Sequence, residues 1–240
     1  MANQFLRLQN LFGAYFAGKY SEELRTDWGS AIVYRSPALI LTWLLSSTSI
    51  KPTTVTAIAA LLLPAMVLAA ILCQPVDALA AVLVMAVLFQ ILDCTDGSLA
   101  RATGRVSVSG HYWDLVTDLA YRGVAYTVVG YLADQISPWP LALNQATVLA
   151  LAAWGAALAR LVRYNLDRLA PSTSSEQQAP DRFTFFSFLS GLDTLFPIIV
   201  AIAWALDAIP IFIAWIALYS LGDVLISIID AHKRLNALES

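Results

Sequence analysis

The stretch ILDCTDGSLARATGRVSVSGHYWDLVTDLAYRG, residues 91–123, sets four carboxylates, Asp93, Asp96, Asp114 and Asp118, into what otherwise reads as two apolar helices joined by a turn. Asp93, Asp96, Gly97, Ala100 and Arg101 follow offsets of 0, 3, 4, 7 and 8, which is one helical face. Gly110, Asp114, Asp118 and Arg122 recur every four residues, again as one stripe. The break at Gly104 makes the two helices antiparallel neighbours, so the stripes converge at similar depth. An ionisable residue in a spanning helix costs about 2.5 to 3.5 kcal/mol on insertion scales, and four sharing one cavity repel one another unless cations compensate them. Two divalent cations would neutralise four carboxylates, and all-oxygen ligation by aspartate suits Mg²⁺ or Mn²⁺. Gly97 and Ala100 let a bulky ligand approach the helix, and the planar fork of Arg101 suits a phosphate oxygen.

Outward from this stretch the chain is far too apolar for a water-soluble fold. Of its 240 residues 59% are hydrophobic and only 13% charged, against roughly half and a quarter in soluble proteins. Marking stretches of about 20 apolar residues, the length that crosses a hydrocarbon core, predicts an all-α polytopic membrane protein. Its six transmembrane helices are expected near residues 53–73, 79–101, 109–135, 143–168, 184–207 and 209–231. Turn chemistry separates them: Gln74-Pro75, Gly104, Pro138 with Pro140, and Ile209-Pro210. The three connections 74–78, 136–142 and 207–210 contain no Lys or Arg. The termini, the Arg101 to Arg105 turn and the Arg168 to Arg182 connection are therefore expected in the cytoplasm, which retains basic loops.

Residues 31–47, AIVYRSPALILTWLLSS, are nearly apolar enough for a seventh crossing, but Arg35 and Pro37 leave too short a clean run. We expect an N-terminal interfacial amphipathic helix there, and a similar one over residues 4–17. Residues 1–50 thus form a cytoplasmic and interfacial segment, and residues 51–240 a single catalytic domain whose stretch 171–180 is a polar linker. No signal peptide is evident in the first twenty residues. The net charge of -3 and the lack of a basic tail give nucleic acid no footing. Cys73 and Cys94 lack metal or disulfide spacing and are expected as inert core residues. His111 has no second histidine at ligand spacing and reads as interfacial.

The segment DCTDGSLARATGRVSVSGHYWDLVTD, residues 93–118, resembles the signature of the CDP-alcohol phosphotransferases. It has two Asp before Gly-x-x-Ala-Arg, eight further residues, a Gly, and two more Asp at four-residue spacing. The likeness extends to the six-helix layout and the interfacial N-terminus, with one departure: where the family commonly has Pro-Asn-x-x-Thr, this chain has Pro52-Thr53-Thr54-Val55-Thr56. The resemblance implies Asp93, Asp96, Asp114 and Asp118 as ligands of two divalent cations, Mg²⁺ or Mn²⁺, with Asp118 as general base. It implies that Thr56, Asp93, Gly97, Ala100, Arg101 and Gly110 line a CDP pocket, and that an acceptor hydroxyl attacks the linking phosphorus and releases CMP.

For the acceptor, Arg122, Arg160, Arg163 and Arg182 are candidates to receive a phosphorylated polar alcohol such as glycerol phosphate or inositol phosphate. Arginines flanking spans are also ordinary cytoplasmic anchors, and Arg122 reads more readily as an ion-pair partner of Asp193 or Asp223. A lipid donor, CDP-diacylglycerol, is favoured over a soluble CDP-alcohol with a lipid acceptor, because basic residues crowd the cytoplasmic mouth of a short chain. The resemblance implies a homodimer, and small size points to a prokaryotic cytoplasmic membrane. Two rivals fit less well. Intramembrane prenyltransferases grip a diphosphate with differently spaced aspartates and lack Gly-x-x-Ala-Arg, and ion-coupled transporters carry inverted repeats not seen here.

Overall fold

A computed structural model describes residues 12–13, 15–169 and 191–239 of the chain, and the described residues contain helices and no strand. After a π-helical turn at Tyr15–Lys19 come α1 (Tyr20–Thr26), a second π-helical turn at Ser30–Tyr34, and α2 (Arg35–Ser46). The long helices follow: α3 (Pro52–Leu72), α4 (Pro75–Thr103), α5 (Val108–Ile136) and α6 (Gln145–Leu169), then the short α7 (Phe196–Ala205) and the long α8 (Ile209–Glu239). Helices suit lipid because they satisfy every backbone group internally. Pro52 and Pro75 open α3 and α4 at a position where the missing N–H is not needed.

Among the described residues, four helices are long and apolar enough to cross a membrane: α3, α4, α6 over Gln145–Leu166 and α8 over Ile209–Asn236. Helix α5 has 29 residues, about 40 Å at 1.5 Å per residue, so length does not limit it. Its apolar character is diluted by His111, Asp114, Asp118, Arg122 and Asp134. Of the expected fifth span, α7 is apolar but only ten residues long, and residues 184–190 lie outside the described residues. The outward faces of the apolar helices carry Leu61, Leu68 and Ile71 on α3, Leu151, Trp154 and Leu158 on α6, and Ile211, Leu218 and Leu221 on α8, all exposed. In water such stripes would be a liability; in lipid they are the solvated face.

The stretch expected at the interface is helical over Ser30–Ser46, too short to count among the candidate spans. Ile32, Ile40 and Leu44 are exposed along it, while Tyr34, Ala38, Leu39 and Thr42 are buried. Arg35, read from sequence as the charge that interrupts the run, is itself buried. The reason is an ion pair with Glu23 across the turn between α1 and α2. The amphipathic helix expected over residues 4–17 and the linker 171–180 fall mainly outside the described residues. Cys94 is buried as expected, but Cys73 is exposed where α3 ends.

Packing divides the chain into two units. The first takes in the described parts of Met1–Ala65, Leu83–Ala120 and Pro180–Ile199. Its centre is Tyr34, Ala38 and Cys94, against which Val33, Val87, Ile91, Leu195 and Ile198 pack. Gly29 lies so close to the Gly191 carbonyl, and Gly191 to the Trp28 indole, that neither has room for a Cβ. The second unit comprises the described parts of Met66–Val82, Tyr121–Ala179 and Val200–Ser240. There α6 and α8 pack along each other, and Gly155 brings the backbone near Val224 and Ser220. Asp134 of α5 caps α6: its two carboxylate oxygens accept the backbone N–H of Gln145 at 2.8 Å and of Ala146 at 3.0 Å. A carboxylate there also complements the positive end of the helix.

Candidate active site

The turn between α4 and α5 builds the site. Gly104 has a φ of +66°, the left-handed conformation that favours glycine after a helix. Its N–H donates to Arg101 O at 3.3 Å, and the Arg105 N–H donates to Ala100 O at 2.9 Å. These paired bonds close the C-terminus of α4 in a Schellman motif. Two residues further on, Ser107 Oγ accepts the Gly110 N–H at 3.0 Å, an N-cap for α5. A Cβ on Gly110 would lie 3.0 Å from that hydroxyl. Glycine therefore keeps the cap and the approach to the cavity open together.

The facing ends of α3, α4 and α5 in the first unit enclose a cavity of about 590 Å³. Thr56, Asp96, Gly97, Ala100, Arg101, Gly110 and Asp114 line it. The structure thus brings together seven residues that the sequence pattern had marked, drawn from three helices. Asp93 and Asp118 belong to the same stripes, each one turn further from the α4–α5 turn, and neither is part of the cavity lining. Asp96 is buried, and its Oδ2 accepts the Thr56 hydroxyl at 2.5 Å. This bond ties the first turn of α3 to the acidic face of α4. Above Gly97 lies the Arg101 guanidinium, whose Nη1 would stand 3.4 Å from a Cβ at that position.

Lys51, Arg105 and His111 also line the cavity, and the sequence reading had not assigned any of them to a binding site. Lys51 immediately precedes Pro52-Thr53, and Arg105 follows the turn glycine, so their adjacency to marked positions was the signal available. Thr53, the departure from the family pattern, faces the cavity as well.

Behind the cavity, Arg35 is locked to the back of α4. Its Nε and Nη2 donate to the Glu23 carboxylate at 3.0 and 2.5 Å. Its Nη1 donates to Cys94 O at 3.2 Å and Ser98 Oγ at 3.1 Å. Tyr15 donates its hydroxyl to Glu23 Oε2 at 2.7 Å, and Lys19 pairs with the same carboxylate at 3.1 Å. Burial works to raise the Glu23 pKa, but the Tyr15 hydrogen bond and the charges of Arg35 and Lys19 overcome it and hold the carboxyl below its ordinary value.

Of the acceptor candidates, Arg122, Arg160 and Arg163 belong to the second unit, and Arg182 lies outside the described residues. Arg163 engages Asp223 through two bonds, Nη1 to Oδ1 at 2.6 Å and Nη2 to Oδ2 at 3.2 Å, and donates to Ser227 Oγ at 2.7 Å. Asp223, considered from sequence as a partner for Arg122, thus holds Arg163. Facing positions on α6 and α8 explain that pairing.

Among the described residues no three His, Cys, Asp or Glu side chains gather closely enough to hold a metal ion. Beside His111, the acidic donors at the cavity are two aspartates. Asp96 and Asp114 offer carboxylate oxygens, with Arg101, Arg105 and Lys51 at the same walls. Hard oxygen donors beside cationic side chains suit a hard divalent cation shared with an anionic ligand, so the residues present fit that class of group.

Among the described residues every element is helical and four helices are apolar enough to span, which together with the family match marks an integral membrane protein. A family model described as CDP-alcohol phosphatidyltransferase matches residues 49–222, and the chain belongs to that family. Its members are transferases of substituted phosphate groups that act in phospholipid biosynthesis, use CDP-linked donors and alcohol acceptors, and generally depend on divalent cations. No curated protein matches the chain.

Proposed function

We propose that this protein transfers a phosphatidyl group from CDP-diacylglycerol to the hydroxyl of a polar alcohol, with release of CMP. The observation that carries the reading is one cavity lined by Asp96 and Asp114 together with Arg101, Lys51 and Arg105 and the small residues Gly97, Ala100 and Gly110. Small residues admit the donor close to the helix backbones, and the arginine fork suits its phosphates. Asp93, Asp96, Asp114 and Asp118 would hold two divalent cations, Mg²⁺ or Mn²⁺, which supply charge neutralisation for the diphosphate when bound.

Asp118 is assigned as the general base that takes the proton of the attacking hydroxyl. The concentration of carboxylates in the stripes, with Ser107 Oγ engaged in capping α5, favours direct displacement over a covalent enzyme intermediate. The uneven distribution of Lys and Arg supports a site that opens to the cytoplasm. Arg122, Arg160, Arg163 and Arg182 are the candidates for a phosphorylated acceptor.

The deciding experiment is CMP release by purified protein in detergent with Mg²⁺ or Mn²⁺, crossing CDP-diacylglycerol and soluble CDP-alcohols with a panel of acceptors. CMP formed from CDP-diacylglycerol and a polar alcohol is the expected result. CMP formed solely from a soluble CDP-alcohol and a lipid acceptor would reverse the roles of donor and acceptor.

A further inference from the structure

We infer that the buried Glu23–Arg35 pair is a positioning device for the donor-binding face of α4, acting on Arg101 through the hydroxyl of Ser98. The inference rests on the reading that Arg101 takes a phosphate of the CDP-linked donor.

Ser98 Oγ is the junction. It donates to Cys94 O at 2.8 Å and accepts from Arg35 Nη1 at 3.1 Å and from Arg101 Nη2 at 3.4 Å. A hydroxyl has one proton and two acceptor sites, so these three bonds use it fully and fix its orientation. Arg35 reaches this point from a helix some sixty residues earlier in the chain, and its side chain, Glu23 and Ser98 are all buried. The Arg101 guanidinium, resting against Ser98 and over Gly97, lines the cavity.

A buried ion pair is weak support for stability alone, because desolvation of both charges opposes their attraction. What this pair supplies is direction. Glu23 occupies Nε and Nη2 of the guanidinium, which leaves Nη1 aimed at the turn of α4 between Asp93 and Arg101. A lysine in the place of Arg35 has a point charge and cannot serve both sides of this junction at once. The N-terminal segment thus participates in setting donor affinity although none of its residues from 15 to 35 lines the cavity.

The test compares wild type with Ser98→Ala and Arg35→Lys as full-length protein in nanodiscs. CMP release is measured against CDP-diacylglycerol concentration, equilibrium binding of CDP by calorimetry, and the thermal midpoint of each variant. Both variants should raise the donor KM and weaken CDP binding by about three- to tenfold, the size of one typical net hydrogen bond, because the lost contact acts on the donor only through Arg101. Their kcat should stay within about twofold, because no group that contacts the reacting hydroxyl is altered. In an Arg101→Gln background, Ser98→Ala should weaken CDP binding no further, since the two act in series.

A folded Ser98→Ala protein with unchanged donor KM and CDP binding overturns the inference, as do effects of Ser98→Ala and Arg101→Gln that multiply independently. Should Arg35→Lys fail to fold, Ser98→Ala still decides, because it removes a single oxygen from a helix. A wild-type protein that neither binds CDP nor releases CMP removes the underlying reading instead, whereas active wild type with unaltered Ser98→Ala removes this inference alone.

Discussion

Thr56, in the first turn of α3, donates its hydroxyl to Asp96 Oδ2 at the centre of α4's acidic face. The bond orients a buried carboxylate that faces the cavity. Its loss leaves that acid with one partner fewer in a site where misdirection matters. Thr56→Val, which keeps the shape, should lower kcat/KM for CMP release about tenfold or more, in line with about 1.5 to 3 kcal/mol for a hydrogen bond to a charged group. Thr56→Ser should remain within about threefold of wild type. Equal activity in the two variants would remove the role of this contact.

Asp118→Asn should abolish turnover while leaving CDP binding partly intact. A carboxamide cannot accept the acceptor's proton, whereas the cavity proposed for the donor is lined by residues nearer the turn. The paired measurement is CMP release and CDP calorimetry on one preparation. Near-normal turnover would exclude Asp118 as the base.

The α4–α5 turn should be sensitive to backbone substitution. Gly104→Ala places a Cβ at a φ of +66° and should destabilise by about 1 kcal/mol. Ser107→Ala removes the cap of α5 and should cost a similar amount, about 1 kcal/mol. Both should appear as lowered thermal midpoints in detergent. Asp207, the one non-glycine residue with positive φ among those described, offers the opposite sign: Asp207→Gly should raise the midpoint modestly.

The depressed pKa of Glu23 sets a pH window. Its reference value is 4.5, and the folded value lies below that. The stability it contributes is therefore fully present above about pH 4.5 and is lost as the pH falls through the folded pKa. Wild type should lose thermal stability more steeply than Glu23→Gln on acidification below that point. Parallel midpoint-against-pH curves for the two proteins would show that Glu23 carries no such linkage.

Arg163 serves both readings of the second unit's arginines. Its pair with Asp223 predicts that Arg163→Ala lowers the thermal midpoint, since it leaves a buried carboxylate without its guanidinium. A role in acceptor recognition predicts in addition a selective loss of activity toward phosphorylated acceptors. Equal loss on phosphorylated and unphosphorylated alcohols would confine Arg163 to structure.

The acidic stripes were legible because helical periodicity alone groups Asp93 with Asp96 and Asp114 with Asp118. The turn was legible because Gly104 and Ser107 carry their conformational roles in their own chemistry. Arg35 was not legible as a buried group, since its partners Cys94 and Ser98 stand 59 and 63 residues away. Without them an arginine in an apolar run reads as a charge for the membrane surface. Lys51 and Arg105 escaped for a related reason: they flank helix ends, and only the packed ends of α3, α4 and α5 reveal which cavity they line.

The Schellman closure at Gly104 and the serine cap at Ser107 have a consequence for how this chain can vary. Each residue of an α-helix advances the side chains by about 100° around the axis, so one residue added between Asp96 and Thr103, or between Gly110 and Asp118, would rotate part of a stripe away from its counterpart. Insertions at the tip between the two caps would preserve each stripe but alter how the helices meet. Change is therefore freest in side chains such as Lys51, Thr53 and Arg105, which line the cavity outside the two helices' stripes, while the residue counts from Asp93 to Thr103 and from Gly110 to Asp118 act as a fixed gear ratio.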